Sequence, residues 1–309
     1  MGSHLVDMLL PIGHHITVLT RNKDINFPLG VDVVYGDLAL GGDCLYKFLT
    51  DCDVLFHCAA EIGNVTNMHR TNVDGTRNLI DAISALQLIS PKKIHWIQLS
   101  SAGIYGIHAD SSVNVGLNLN PANEYERTKL KSDLLLIGAA SSNLFKVSIL
   151  RPTNIFGPKM RNKSLFSLIR MIDYGLFFYI NKRANTNYIH VKNVCHALIL
   201  LLEKSNFHGV RIYVLSNCLP ITNFVSLICV ALGRQRKFIE IPHFVSFILY
   251  HTVCKLPKFP LSQTRFRALS SEVTYDSTLI KNDVGYNEII TAKNGVIEMV
   301  RQYWDNQNK

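Results

Sequence analysis

Several protein classes are excluded by what this sequence does not contain. No apolar stretch reaches the roughly 18 to 20 residues that span a bilayer, and no secretory leader opens the chain. A cytoplasmic protein is the expectation. Seven cysteines, Cys44, Cys52, Cys58, Cys195, Cys218, Cys229 and Cys254, lie scattered with no Cys-x-x-Cys pair and no histidines at zinc-ligand spacing. That argues against a disulfide framework and against a metal, and reads as buried thiols of a reducing compartment. Acidic residues are the scarce charge, 23 Asp and Glu against 32 Lys and Arg, for a net charge of +9. Such an excess favours anionic partners. The basic residues are spread along the chain without a nucleic-acid module, so small diphosphates fit better than nucleic acid. Repeats and low-complexity linkers are absent too.

What is present is a chain of 309 residues, 48% hydrophobic, enough to bury one large core or two joined ones. Short β-branched runs alternate with longer helical patterns, which predicts parallel strands joined by crossover helices. The strand candidates are His15 to Leu19, Val31 to Tyr35, Val54 to Cys58, Ile94 to Leu99, Lys146 to Leu150 and Arg211 to Leu215. Helix candidates are Ser3 to Leu10, Thr71 to Ile89, Glu124 to Ala140, Lys163 to Asp173, Lys192 to Lys204, Ile221 to Leu232 and Ala292 to Asn306. The apolar run Phe244 to Cys254 reads as a buried or substrate-covering helix; its basic flanks, His243 and Lys255, leave peripheral membrane contact open.

One constellation carries chemistry. Tyr125 and Lys129 stand four apart in a predicted helix, so a phenol and an ammonium share a face. A nearby fixed cation favours the phenolate and draws a tyrosine towards useful acid/base work. Ser101, closing the apolar run Ile94 to Leu99, is placed to offer a hydroxyl to the same reacting oxygen. The three could take a proton from a secondary alcohol as its carbon loses hydride, or return one to a ketone.

The order of these residues resembles a known family. Ser100-Ser101-Ala102-Gly103-Ile104-Tyr105-Gly106, then Tyr125-Glu126-Arg127-Thr128-Lys129, then Leu150-Arg151-Pro152-Thr153-Asn154-Ile155-Phe156-Gly157-Pro158 is similar to the extended short-chain dehydrogenase/reductase family of the NAD-dependent epimerase/dehydratase type. Gly36-Asp37-Leu38, His57-Cys58-Ala59-Ala60, Asn72-Val73-Asp74-Gly75-Thr76 and Tyr188-Ile189-His190-Val191 agree in sequence and order. The resemblance implies an α/β fold: a Rossmann-like doubly wound parallel sheet with a smaller C-terminal substrate domain. Residues 1–153 would form the dinucleotide domain, to which the chain returns near 186–217, and 154–309 mainly the substrate domain. Gly2 resembles the family's third glycine, so the first strand and two glycines of the phosphate loop are expected to be missing, with weak cofactor affinity as the result.

Roles follow by motif match. Tyr125 would be the acid/base, Lys129 its partner and the nicotinamide-ribose ligand, Ser101 the oxygen stabiliser and Asn72 the support of Lys129. Asp37 and Leu38 would meet the adenine, Ala59 and Ala60 would line the cofactor groove, and Pro152 and Thr153 would meet the nicotinamide amide. Asn154 would bind substrate. Arg161, Asn162, Arg183, Arg265 and Arg267 are candidate diphosphate partners, Arg265 foremost. Arg21 stands where an acid would bind a ribose diol, which favours NADP over NAD. The implied activity is that of a nucleotide-sugar 4-epimerase or keto-sugar reductase. The alternatives are a 3β-hydroxysteroid dehydrogenase or dihydroflavonol reductase-like enzyme on a hydrophobic alcohol, and a non-catalytic truncated homologue. A homodimer through 71–89 and 124–140 is a further implication of the resemblance.

Overall fold

The computed structural model describes residues 1–106, 112–141, 145–159, 164–204, 207–252 and 263–307. Helix α1 (Gly2–Leu9) opens the chain and buries Leu5, Val6 and Leu9, an apolar stripe at one-turn spacing. Strands β1 (Ile16–Thr20) and β2 (Val31–Tyr35) follow, then α2 (Asp43–Leu49), β3 (Val54–His57) and α3 (Val65–His69). A π turn over Arg70–Asp74 joins α3 to α4 (Gly75–Ile89). The helix expected to begin at Thr71 therefore begins earlier and widens in its middle. Next come β4 (Ile94–Leu99), β5 (Ser112–Val113), α5 (Glu124–Ala140), β6 (Phe145–Pro152) and β7 (Asn154–Phe156). They are followed by α6 (Ser164–Asp173), β8 (Asn185–His190), α7 (Val191–Lys204), β9 (Val210–Leu215) and β10 (Cys218–Pro220). The remainder is α8 (Ile221–Ala231), α9 (His243–His251), α10 (Gln263–Ser270), β11 (Thr274–Tyr275), α11 (Thr278–Val284) and α12 (Ala292–Gln307).

The fold is α/β with parallel strands, as the alternating pattern predicts. Its central sheet runs β3-β4-β6-β9, every pair parallel. All residues of β4 are buried, the state that helices on both faces impose on a parallel strand. β1 and β2 form a separate parallel pair, and among the described residues no strand hydrogen-bonds β1 to β3. Ile16 of β1 and Val54 and Phe56 of β3 nevertheless pack on one apolar cluster, which also holds Leu5 and Leu9 of α1 and much of α7. A second cluster gathers Phe156, Leu168, Ile172, Phe224, Ile228 and Met299 around the small mixed sheet β10-β8-β7.

Of the two readings of this run, a buried or a substrate-covering helix, α9 departs from the first. Phe244, Phe247 and Ile248 are 67%, 57% and 54% exposed, while the small polar Ser246 is buried. Val253 and Cys254, the rest of that run, and the flanking Lys255 lie outside the described residues. Among the described residues no helix is long and apolar enough to cross a membrane, and no cluster of metal-ligating side chains occurs.

Candidate functional site

The carboxyl ends of β3, β4, β6 and β9 lie at one edge of the sheet, and helix α5 descends onto that edge. In an open α/β sheet, ligands bind outside the carboxyl ends of the strands. Asn123 caps α5 through its side chain, accepting from the Glu126 backbone N–H at 3.0 Å, which fixes where the helix begins. Within the first turn, Tyr125 is half-buried. A turn later the Lys129 ammonium donates to the Leu99 carbonyl at 2.6 Å and is buried. Ser101 follows Leu99 by two residues, so the lysine is pinned to the strand end from which the serine leaves.

Ser101 Oγ accepts from the Gly103 N–H at 3.1 Å and caps a short 3-10 turn over Ala102–Tyr105. A hydroxyl used as an acceptor keeps its own proton to donate. Gly106 closes the turn at φ 79°, and a Cβ built there would stand 2.0 Å from the Asn120 carbonyl oxygen. Only glycine fits.

The stripe on α5 continues one turn past the lysine. Asp133 is fully buried, accepts from Ser100 Oγ at 2.8 Å, and is held by Arg151 through Nε and an ion pair, both 3.2 Å. Arg151, from the end of β6, also donates to Tyr105 Oη at 2.9 Å. This buried carboxylate–guanidinium pair beside the lysine was not anticipated from the sequence. Its signal was the third member of the Tyr125, Lys129, Asp133 series.

Electrostatics inside the site keep the Tyr125 phenol protonated. Burial first, then Asp133 and Glu126, push the Tyr125 phenol up to about 12, against the expectation that Lys129 lowers it. The lysine's own pKa is lowered by burial, opposed by Asp133 and Cys58. Burial and then Lys129 hold His57, at the end of β3, down to about 3, so that imidazole is neutral.

The remaining candidates are placed as follows. Asn72 lies in the π turn, accepts from the Glu61 N–H at 2.7 Å and donates to Thr128 Oγ1 at 3.0 Å, bracing the residue before Lys129 instead of capping a helix. Thr153 ties β6 to β9, its N–H donating to Leu215 O at 2.9 Å and its hydroxyl to Ser216 at 3.1 Å. Pro152 is buried and Asn154 exposed. Leu38 is buried beneath α4, where a Cβ on Gly75 would meet it at 2.9 Å. Ala59 is exposed and Ala60 half-buried, with no long side chain to close the groove beyond β3. Gly2 is exposed at the start of α1, and His4 Nε2 lies 3.0 Å from the Pro158 carbonyl oxygen, so α1 begins beside the turn that follows β7.

At the other side of the groove, Arg21 and Arg70 approach the same oxygen of Asp37, at 3.8 and 3.9 Å. Arg70 is a second cation that the sequence reading missed. Arg183 is engaged with Glu272 at 3.1 Å, and the Arg267 guanidinium sits 5.3 Å from the Tyr250 ring centroid. Arg161 and Asn162 lie outside the described residues, as does the side chain of Arg265 on α10.

These residues fit a dinucleotide. Small residues beyond β3, the buried ammonium of Lys129 and the two arginines at Asp37 are the residue types that a ligand carrying ribose hydroxyls and phosphate engages. The family model for the NAD dependent epimerase/dehydratase family matches residues 1–216. The chain belongs to that family. The 3β-hydroxysteroid-dehydrogenase/decarboxylase isoform 2 of Arabidopsis thaliana is 27% identical over 81% of this chain, which spans about half, 48%, of that enzyme. A ketoreductase of Stigmatella aurantiaca, acting on a farnesylated 3-oxo-dihydroquinoline oxide, is 24% identical over 98% of this chain and 93% of its own. Among solved structures, UDP-glucuronic acid 4-epimerase from Bacillus cereus in complex with NAD superposes with a TM-score of 0.74. It is 17% identical, with 100% of this chain and 96% of that one covered, a likeness of fold.

Proposed function

We propose that this family member is a nicotinamide-dependent oxidoreductase acting on a secondary alcohol or its ketone. The buried Lys129 ammonium, anchored at 2.6 Å to the carbonyl just before Ser100-Ser101, carries the reading. It fixes the catalytic face of α5 against the strand end. The bound cofactor would supply the hydride. Tyr125, protonated at neutral pH, gives its proton to the ketone oxygen as the carbon is reduced, and takes it back in the reverse direction. Ser101 donates a hydrogen bond to that oxygen, and Lys129 holds the nicotinamide ribose. Arg21 and Arg70 favour the 2′-phosphate of NADP, since a dianion can displace two loosely held guanidiniums from one carboxylate oxygen.

For the substrate, we favour a bulky apolar alcohol or ketone. Both diphosphate candidates with described side chains, Arg183 and Arg267, are engaged elsewhere, and α9 presents an aromatic face. Two relatives named above act, by their names, on a hydroxysteroid and a farnesylated quinoline. A nucleotide-sugar 4-epimerase or keto-sugar reductase is the second reading, supported by the fold shared with the UDP-glucuronic acid epimerase. NADPH oxidation measured with steroid ketones against nucleotide-linked keto-sugars separates the two. Turnover of keto-sugars alone would discard the apolar assignment, and a fully active Tyr125→Phe variant would discard the mechanism.

A further inference from the structure

Helix α9 turns its apolar stripe outward. Phe244, Phe247, Ile248 and His251 stand at i, i+3, i+4 and i+7, one face of the helix, and all four are exposed. The opposite face is the packed one: Ser246 is buried, and Leu249 and Tyr250 join Phe178, Ile180, Phe266 and Leu269 in a small cluster. A serine inside and two phenylalanines outside reverse the usual order of a helix on a globular domain. An exposed apolar patch of this kind marks a surface that a partner covers.

The charge around the stripe selects the partner. Between Glu240 and Glu272 the sequence holds no acidic residue, whereas Lys255, Lys258, Arg265 and Arg267 are basic. The two bracketing carboxylates are both engaged, Glu240 accepting from the Lys182 backbone N–H at 2.9 Å and Glu272 facing Arg183 at 3.1 Å. Arg267 is exposed on α10, its guanidinium 5.3 Å from the Tyr250 ring centroid. Stacking of that kind holds a cation beside α9 without neutralising it. An outward aromatic stripe within an acid-free basic segment is the pattern of a helix that lies in the interface of an anionic bilayer. A second copy of the chain fits less well, since two-fold pairing of this face sets like charges against each other.

The helix has nine residues. Its rise of roughly 13 Å is far short of the ~30 Å hydrocarbon core, so it can lie on a bilayer and cannot cross one. We propose that α9 docks this protein onto an anionic lipid surface, with Phe244, Phe247 and Ile248 entering the headgroup region and the positive charge of the 241–271 segment holding it there. Docking involves neither the Tyr125–Lys129 site nor the cofactor. A bulky apolar alcohol dissolves in the same lipid, a consequence that rests on the substrate reading above, as docking itself does not.

Sedimentation of the whole chain with vesicles, without cofactor or substrate, tests this. A basic residue near an anionic bilayer raises partitioning about fivefold, so vesicles with one third phosphatidylserine are expected to bind at least about 100-fold more tightly than pure phosphatidylcholine. Raising the salt from about 0.1 to 1 M, which shortens the Debye length from about 10 to 3 Å, releases most of the bound protein. Phe244→Ser with Phe247→Ser weakens vesicle binding about tenfold or more and leaves NADPH affinity unchanged; both side chains are exposed, so folding is not at stake. Phe247→Trp adds an emission that moves to shorter wavelength on phosphatidylserine vesicles, which locates the docked face. Equal binding to both kinds of vesicle, binding to neither, or full binding by the double serine variant overturns the proposal. So does a change from dimer to monomer in that variant by sedimentation velocity, which assigns the face to a second copy.

Discussion

Asp133→Asn is the substitution for which the structure sets the sharpest expectation. The carboxylate is fully buried, and it faces Arg151 at 3.2 Å, itself 2% exposed. Arginine cannot shed its proton, so removal of the carboxylate strands a buried guanidinium. Breaking one side of such a pair costs about 3–5 kcal/mol, and Asp133 sits at the upper end because it also offsets Lys129 and takes the Ser100 hydroxyl. Arg151→Met should cost less, since Lys129 still faces the carboxylate that remains. The double variant should cost less than the sum of the two, with a coupling of about 1–3 kcal/mol. Urea denaturation of the four proteins in a double-mutant cycle measures this, and Asp133→Asn should also lower the Tm by about 6–10 °C at roughly 2 °C per kcal/mol. Additive effects, or a single-variant loss below about 1 kcal/mol, would show that the pair behaves like an exposed one and refute the reasoning.

Other outcomes are equally specific. Tyr125→Phe should reduce turnover at least about 100-fold while cofactor affinity, read by fluorescence titration, stays within a few-fold. Lys129→Met should weaken NADPH binding as well as rate, and a loss of rate alone removes its ribose role. Arg70→Ala should weaken 2′,5′-ADP about tenfold in calorimetry and leave 5′-AMP unchanged; equal effects on both ligands would separate Arg70 from the 2′-phosphate. His57, held down to about 3 by burial and Lys129, is neutral when folded and protonated when unfolded below about 6.5. Its contribution to stability is therefore full above pH 6.5 and is lost as pH falls towards 3, so His57→Gln should flatten the acid limb of a stability profile.

The parts of the molecule that sequence reading reached are those with a repeating physical signal. Six strands were legible because β-branched and apolar residues mark each run, and the longer helices because their apolar residues recur at one-turn spacing, whereas the polar strand β8 (Asn185–His190) and the short helices α2, α3, α10 and α11 were not read. β5, β7, β10 and β11 span two or three residues and leave too little sequence for a period to register. Tyr125 and Lys129 were legible from their spacing and from Ser101 upstream. Asp133 and Arg151 were not, because a buried ion pair joining residues 18 apart depends on how α5 lies on the sheet. Arg70 was hidden for the same reason, since α3 and its π turn bring it to Asp37. Between a buried and a substrate-covering α9 the sequence did not choose, because an apolar stripe shows that a face exists without showing which way it points.

The two inner strand flanks of the split sheet bear on handling. β1 and β3 each present a row of amide donors and carbonyl acceptors that no neighbouring strand takes up among the described residues. A strand flank of this kind is adhesive to any extended segment that can complete its ladder. Concentrated preparations should accordingly gain intermolecular β structure over time, visible as a growing low-frequency amide I band and rising light scattering, and a lysine placed on either flank should slow it.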